Sequence, residues 1–206
     1  MVKDQNINIL IESFKNRTKL QIITLLLKNG PMTVTQISKL IHTTRSNLYQ
    51  VMKDLVYDGI VSHYETKVVK NYVEKFYKLN VDLLNQIKSK DLLNEISKLS
   101  TKDIRELIIS FLLANSMIFN IIAEETNMMD DKEIEKLREK GIKNMVILSF
   151  STISDESLKK FSNFYFKYID EVENNEFYNT EKDENLLIIF SFPLFSKFIS
   201  GGEFNI

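Results

Sequence analysis

Residues 34–60 read VTQISKLIHTTRSNLYQVMKDLVYDGI, and the spacing of their apolar side chains decides the fold. Helical spacing predicts a short helix over Val34–Ile41. The polar turn His42-Thr43 separates it from a second helix, predicted from about Thr44 to Asp58 and stopped by Gly59. The predicted buried face of this longer helix consists of its apolar residues, Leu48, Val51, Met52, Leu55 and Val56. Two helices joined in this way predict a helix-turn-helix whose second member is the recognition helix.

The flanking sequence adds a preceding helix and a following hairpin. A helix is predicted over Arg17–Lys28, with Leu20, Ile23 and Leu27 on its core stripe, and Asn29-Gly30-Pro31 ends it. From Ile60 the apolar period changes to two, which is typical of strands, and it returns over Tyr72–Leu79 after a polar, basic stretch. This pattern predicts a hairpin with a charged tip, or wing, at about residues 64–73. Because no Asn-Gly or Asp-Gly turn is present, we expect a longer connecting loop.

Beyond Asn80 the sequence is mainly helical in pattern. The predicted helices cover about Val81–Leu99, a segment capped by Ser100 or Thr101 that continues through Ala123, about Asp130–Gly141, Asp155–Tyr178 and Asn185–Ile199. The predicted fold is therefore mainly α with a small β-hairpin wing, an α+β fold. We expect a winged helix-turn-helix domain at residues 1–80 and, at residues 81–206, a helical domain for dimerisation or for binding an effector.

Charge is distributed unevenly between these two parts. Up to Asn80 there are 12 Lys and Arg against 6 Asp and Glu, and beyond it 15 against 22, although the whole chain carries a net charge of only -1. A basic head on an acidic body is typical of a soluble protein that binds phosphate groups. The chain has no cysteine and its first residues lack signal-peptide features, so a cytoplasmic location is expected.

The predicted recognition helix leaves polar side chains outside its apolar face. Arginine pairs with guanine edges and Asn or Gln with adenine edges, whereas Thr, Tyr and Lys reach phosphates. The base-reading residues are expected to be Arg45, Asn47 and Gln50. The full set of predicted DNA contacts is Thr33, Thr43, Thr44, Arg45, Ser46, Asn47, Tyr49, Gln50 and Lys53 in the helix-turn-helix, with Lys67, Lys70, Asn71 and Tyr72 in the wing.

The run ISKLIHTTRSNLYQVMKDLVYDGIVSHYE, followed by NYVEKFYKLN, resembles the winged helix-turn-helix of ArsR- and PadR-type regulators. The resemblance covers about Lys15 to Asn80. It implies that the polar positions of the recognition helix face double-stranded DNA and that a homodimer binds a palindrome. Metal sensing is not expected, because the chain has no cysteine and no paired His motif, and no other cofactor is expected.

Several alternatives remain open from the sequence. The winged helix could instead belong to an adaptor or assembly subunit that docks a protein. The 17 uncharged residues 107–123 approach the length of a membrane span, but their polar members, Ser110, Asn115, Ser116 and Asn120, favour a buried core or dimer helix. Aromatic residues of the second half favour core or dimer interface over an apolar effector pocket, and the absence of a catalytic constellation argues against an enzyme.

Overall fold

The computed structural model describes residues 2–69, 72–141 and 155–175. Within these residues the chain is mainly helical with one small antiparallel sheet, so the predicted α+β fold is confirmed. The elements in chain order are α1 (Val2–Lys15), α2 (Arg17–Asn29), β1 (Met32–Thr33), α3 (Val34–Leu40), α4 (Arg45–Tyr57), β2 (Val61–Val69), β3 (Tyr72–Leu79), α5 (Val81–Asn85), α6 (Ser89–Ile96), α7 (Thr101–Met128), α8 (Asp131–Gly141) and α9 (Asp155–Asn175).

Local hydrogen bonds fix the helix-turn-helix formed by α3 and α4. Thr33 caps α3 in a capping box, in which its hydroxyl accepts from the Gln36 backbone N–H (3.1 Å) and its own N–H donates to Gln36 Oε1 (2.8 Å). The Thr44 hydroxyl caps α4 by accepting from the Asn47 backbone N–H, and the helix ends before Gly59, whose φ is +73°. The sequence therefore predicted both helices to within about one residue.

The wing is longer and its turn shorter than predicted. Strand β2 continues through Lys67 to Val69, so only residues 70 and 71 connect it to β3, and the expected longer loop is wrong. Strand β1, which the sequence did not indicate, pairs with Phe76 and Tyr77 of β3, away from the hairpin tip, and gives the sheet order β1-β3-β2. Both faces of the hairpin are exposed near its tip, so polar residues occupy both of them. The alternation of apolar and polar residues that predicts a strand is therefore absent there.

A hydrophobic core lies between the helix-turn-helix and the sheet. Its fully buried members include Ile22, Leu25, Ile37, Leu48 and Leu55. Leu27 on α2 and Val56 on α4, which were predicted to lie in the core, are exposed instead. Only part of each predicted apolar stripe faces the core. Val56 borders an open groove between α4 and the wing, described below.

Helix α1, which the sequence analysis did not predict, completes this core. Its apolar residues Ile7, Leu10 and Ile11 are buried, and the helix packs against α2, α6 and α7. The spacing i, i+3, i+4 of these residues is that of a helix face turned toward a core.

The single helix predicted over Val81–Leu99 is wrong, because α5 ends at Asn85 and α6 begins at Ser89. The break brings Ile87, which is buried, into the common core. Asn80 holds the start of this segment against the helix-turn-helix: its side-chain oxygen caps α5, and its amide donates to the Gly59 carbonyl (2.9 Å).

Helix α7 packs one face against α1 and α2, with Ser100 as its cap. The Lys15 ammonium lies 2.7 Å from Asp103 Oδ1, and the Ser110 hydroxyl donates to the Lys15 carbonyl (2.7 Å). Side chains of α7 such as Ile118 join the core of the N-terminal part, so one core crosses residue 80. The division into domains at that residue remains a prediction.

Helix α7 is long and apolar enough to cross a membrane, judged by length and composition alone, and it is the one such helix among the described residues. One face of α7 packs against α1 and α2, and 28% of its apolar window is buried. Helices α8 and α9 begin close to their predicted positions. The predicted helix over Asn185–Ile199 and the end of the helix predicted to Tyr178 lie outside the described residues.

Candidate nucleic-acid interface

Helix α4 presents a polar face opposite the face that anchors it. Leu48, Val51, Met52 and Leu55 are buried in the core and hold the helix in place. The Lys19 ammonium lies 2.7 Å from the Asp58 carboxylate and ties the end of α4 to α2. On the exposed side the structure brings together six of the predicted site residues, Arg45, Ser46, Asn47, Tyr49, Gln50 and Lys53.

Two amide side chains on this face are already oriented by neighbours. Asn47 Nδ2 donates to the Thr43 hydroxyl (3.0 Å), and Gln50 Nε2 donates to Asp54 Oδ1 (2.9 Å). An amide has two N–H donors and one carbonyl acceptor. Each side chain therefore keeps one donor and its acceptor, which is the pair needed for a bidentate contact with an adenine edge.

Thr33 and Thr44 have hydroxyls that serve the helix ends. Thr33 is buried within its capping box, so the structure does not place its hydroxyl on the exposed face. Thr44 is exposed at the start of α4, although its oxygen accepts from the Asn47 backbone N–H (3.3 Å).

The two faces of the wing carry different lysines. Lys67 lies on the same face as Glu65, with an Nζ–Oε1 distance of 2.8 Å, and its ammonium is 4.9 Å from the centre of the Phe76 ring. Cross-strand pairing places Lys75 opposite Thr66, on the other face, where it lines the groove next to α4. The side chains of Lys70, Asn71 and Tyr72 lie outside the described set.

This groove, the α4–wing groove, has a volume of about 800 Å³. Tyr49, Lys53 and Tyr57 line it from α4, whereas Lys75 and Tyr77 line it from β3. Burial raises the pKa of the Tyr77 hydroxyl, and the nearby Tyr49 adds to this effect. The Tyr77 hydroxyl therefore stays protonated at neutral pH and remains a hydrogen-bond donor.

The sequence analysis missed the groove residues Tyr57, Lys75 and Tyr77. The alternation of side chains along β3 could have predicted that Lys75 and Tyr77 share a face. Which face turns toward α4 depends on the register of the hairpin and on the irregularity between His63 and Glu65.

The histidines do not gather with other metal-binding side chains. His63 Nε2 is hydrogen-bonded to the Thr66 hydroxyl (2.9 Å), and its ring packs edge-on against Tyr77. In the described part of the chain, no three His, Asp or Glu side chains are grouped as metal ligands would be.

A buried anchoring face, an exposed polar face and an adjoining wing are the parts of a winged helix-turn-helix. Residues 16–63 match the family described as bacterial regulatory protein, arsR family. The match extends from the cap of α2 into β2, so it includes the whole helix-turn-helix. The resemblance to ArsR-type regulators is thereby confirmed. An ArsR-type helix-turn-helix indicates a DNA-binding transcription regulator, and the family is one of regulators rather than enzymes. No curated protein matches the chain.

Proposed function

We propose that the protein is a dimeric, sequence-specific transcription regulator that inserts α4 into the major groove of double-stranded DNA. The exposed polar face of α4 is the observation that carries this proposal. The ArsR-type match over residues 16–63 supports it, as does the excess of basic residues before Asn80. The cytoplasm remains the expected location.

In this proposal Arg45, Asn47 and Gln50 read base edges. The bond from Gln50 to Asp54 fixes the plane of the Gln50 amide before DNA arrives, which reduces the entropy lost on binding. Replacing Asp54 with Ala should therefore weaken binding to the preferred sequence while leaving binding to random duplex nearly unchanged.

Phosphate contacts come from both sides of the α4–wing groove. Lys53 on α4 and Lys75 on β3 line it, and a DNA backbone strand passing between helix and wing would meet both ammonium groups. Lys67 lies on the opposite face of the wing and is held by Glu65. We therefore assign the principal wing contact to Lys75.

Salt dependence tests this assignment directly. A duplex selected from a random library is titrated by fluorescence anisotropy at several salt concentrations. Each lost phosphate contact lowers the slope of log affinity against log salt by about 1. Lys75→Ala should show this loss and Lys67→Ala a smaller one. Equal slopes for wild type and Lys75→Ala would show that the wing contact lies elsewhere.

Dimerisation is assigned to the outer face of α7. Ile108, Phe111, Phe119 and Ile122 are exposed on one stripe of this 28-residue helix, away from its buried face. The stripe is apolar apart from Asn115, and a monomer seldom leaves such an apolar patch in water. A second copy of α7 packed across a twofold axis would bury it.

Two neighbouring substitutions test the dimer interface. Phe119 is 54% exposed and lies on the stripe, whereas Asn120 is exposed one position further round the helix. Sedimentation equilibrium should show that Phe119→Asp is monomeric and Asn120→Asp dimeric. A dimeric Phe119→Asp would place the interface elsewhere, and a monomeric wild type would refute dimerisation itself.

A further inference from the structure

The α4–wing groove exposes more apolar surface than a DNA backbone strand requires. Val56 is 40% exposed, Tyr57 92% and Val73 63%, and all three line this groove together with Tyr49. A phosphodiester strand offers charged oxygens and small sugar rings. Large apolar side chains gathered in one groove are instead typical of a site for an organic ligand.

The dimensions of the groove suit a small molecule. Its volume of about 800 Å³ is within the range of roughly 300–1,000 Å³ that small-molecule sites occupy. Tyrosine rings enter it from both walls, from α4 at Tyr49 and Tyr57 and from β3 at Tyr77. Aromatic side chains that line a site favour an aromatic ligand, which can stack on a ring or meet its edge.

The charges around the groove favour an anion. Lys53 and Lys75 line it, and in the part of the chain that the structure describes neither has a carboxylate partner. Glu74 also lines the groove, so its two lysines outnumber its acidic side chains by one. A net positive charge thus remains in the groove to complement a negative ligand.

We propose that the α4–wing groove binds a planar aromatic molecule that carries an anionic group. Tyr49 and Lys53 lie both in this groove and on the exposed face assigned to DNA. Ligand and DNA would therefore exclude each other, and the ligand would release the regulator from its site. This consequence rests on the proposed function, whereas binding of the ligand does not.

The probe is 8-anilinonaphthalene-1-sulfonate, an aromatic anion with a flat naphthalene ring that fluoresces when bound in an apolar site. Val73→Thr replaces a methyl group in the groove with a hydroxyl and should weaken binding of this probe about fourfold. The matched control is Val68→Thr, because Val68 pairs with Val73 across the hairpin and is 72% exposed but does not line the groove. It should change affinity by less than about twofold.

Any probe that binds at the outer face of α7 adds the same fluorescence in Val73→Thr and Val68→Thr. The difference in probe affinity between these two variants therefore measures binding in the groove. Tyr57→Ala, at a 92% exposed position that folding does not require, provides a second groove variant and should weaken binding about tenfold. Equal affinity in Val73→Thr, Val68→Thr and wild type would overturn the proposal.

The anionic requirement has its own comparison. N-phenyl-1-naphthylamine has the same rings without the sulfonate, and it should bind the wild type more weakly than the anionic probe does. Lys75→Met should remove most of this preference. An equal preference in wild type and Lys75→Met would show that the groove does not select for charge.

Competition between the probe and DNA shows whether the ligand site or the DNA-binding function is refuted. A selected duplex should displace the probe from wild type and from Val68→Thr. If DNA binds but the probe is insensitive to Val73→Thr, only the ligand site is refuted. If the probe is sensitive to Val73→Thr but no DNA binds, the groove binds a ligand and the DNA function is refuted.

Discussion

Replacing Ile118 with Ala tests whether α7 is part of the core of the winged helix-turn-helix. Ile118 is 0% exposed and lies in the same cluster as Ile22 and Leu25. The substitution removes three buried carbon groups, worth about 0.8 kcal/mol each, and leaves a cavity that adds to the loss. We therefore expect the free energy of unfolding to fall by about 3–4 kcal/mol, a large part of the roughly 5–15 kcal/mol of a typical protein.

The assay is urea denaturation followed by far-UV circular dichroism. All proteins are compared at one protomer concentration, because dimer formation would make stability depend on concentration. Asn120→Ala, an exposed substitution on the same helix, should change the free energy by no more than about 0.5 kcal/mol. A loss below about 1 kcal/mol for Ile118→Ala would refute a core shared between α7 and the N-terminal helices.

Substitutions at three further positions test local features of the fold. Thr33→Ala should lower the free energy of unfolding by about 1 kcal/mol in urea denaturation, because it removes the capping box of α3, whereas Thr33→Ser should retain it. Gly59→Ala should cost about 1 kcal/mol by calorimetry, because φ is +73° and no atom lies near the added methyl group. Hydrogen bonds from Lys15 and then Ser100 lower the pKa of Asp103, so its stabilising effect is present at neutral pH and is lost as pH falls through that lowered pKa. Asp103→Asn should therefore be less stable than wild type at neutral pH, and the difference in melting temperature should vanish in strong acid.

The helix-turn-helix could be predicted from sequence because its determinants are local. Thr33 and Thr44 stand at cap positions, and Gly59 marks the end of α4. Apolar spacing between these residues is regular, so both helices and their exposed polar face followed from the chain alone. The family match over residues 16–63 covers this same segment.

Elements that depend on packing were harder to predict. Helical spacing continues through residues 86–88 without Gly or Pro, yet the chain breaks there and Ile87 enters the core. The buried face of α1 was visible in the spacing of Ile7, Leu10 and Ile11, but what covers it is α7, almost a hundred residues later. A sequence pattern identifies an apolar face without identifying its partner.

The candidate site was predictable for α4 and only partly so for the wing. Polar residues lie on both faces of β2 and β3, so the full length of these strands could not be recognised from alternation. The irregularity between His63 and Glu65 also changes which side chains face α4. Lys67 was therefore predicted as a tip residue, whereas the structure pairs it with Glu65 and turns Lys75 toward the groove.

Competition between a selected and a random duplex tests whether α4 reads DNA sequence. Wild type and Arg45→Ala are titrated by fluorescence anisotropy against a selected duplex and a random duplex at one salt concentration. We expect the wild type to prefer the selected duplex and Arg45→Ala to lose about 1–3 kcal/mol of that preference, with little change on random DNA. No binding of either duplex at low salt would contradict the account and favour a winged helix that docks a protein.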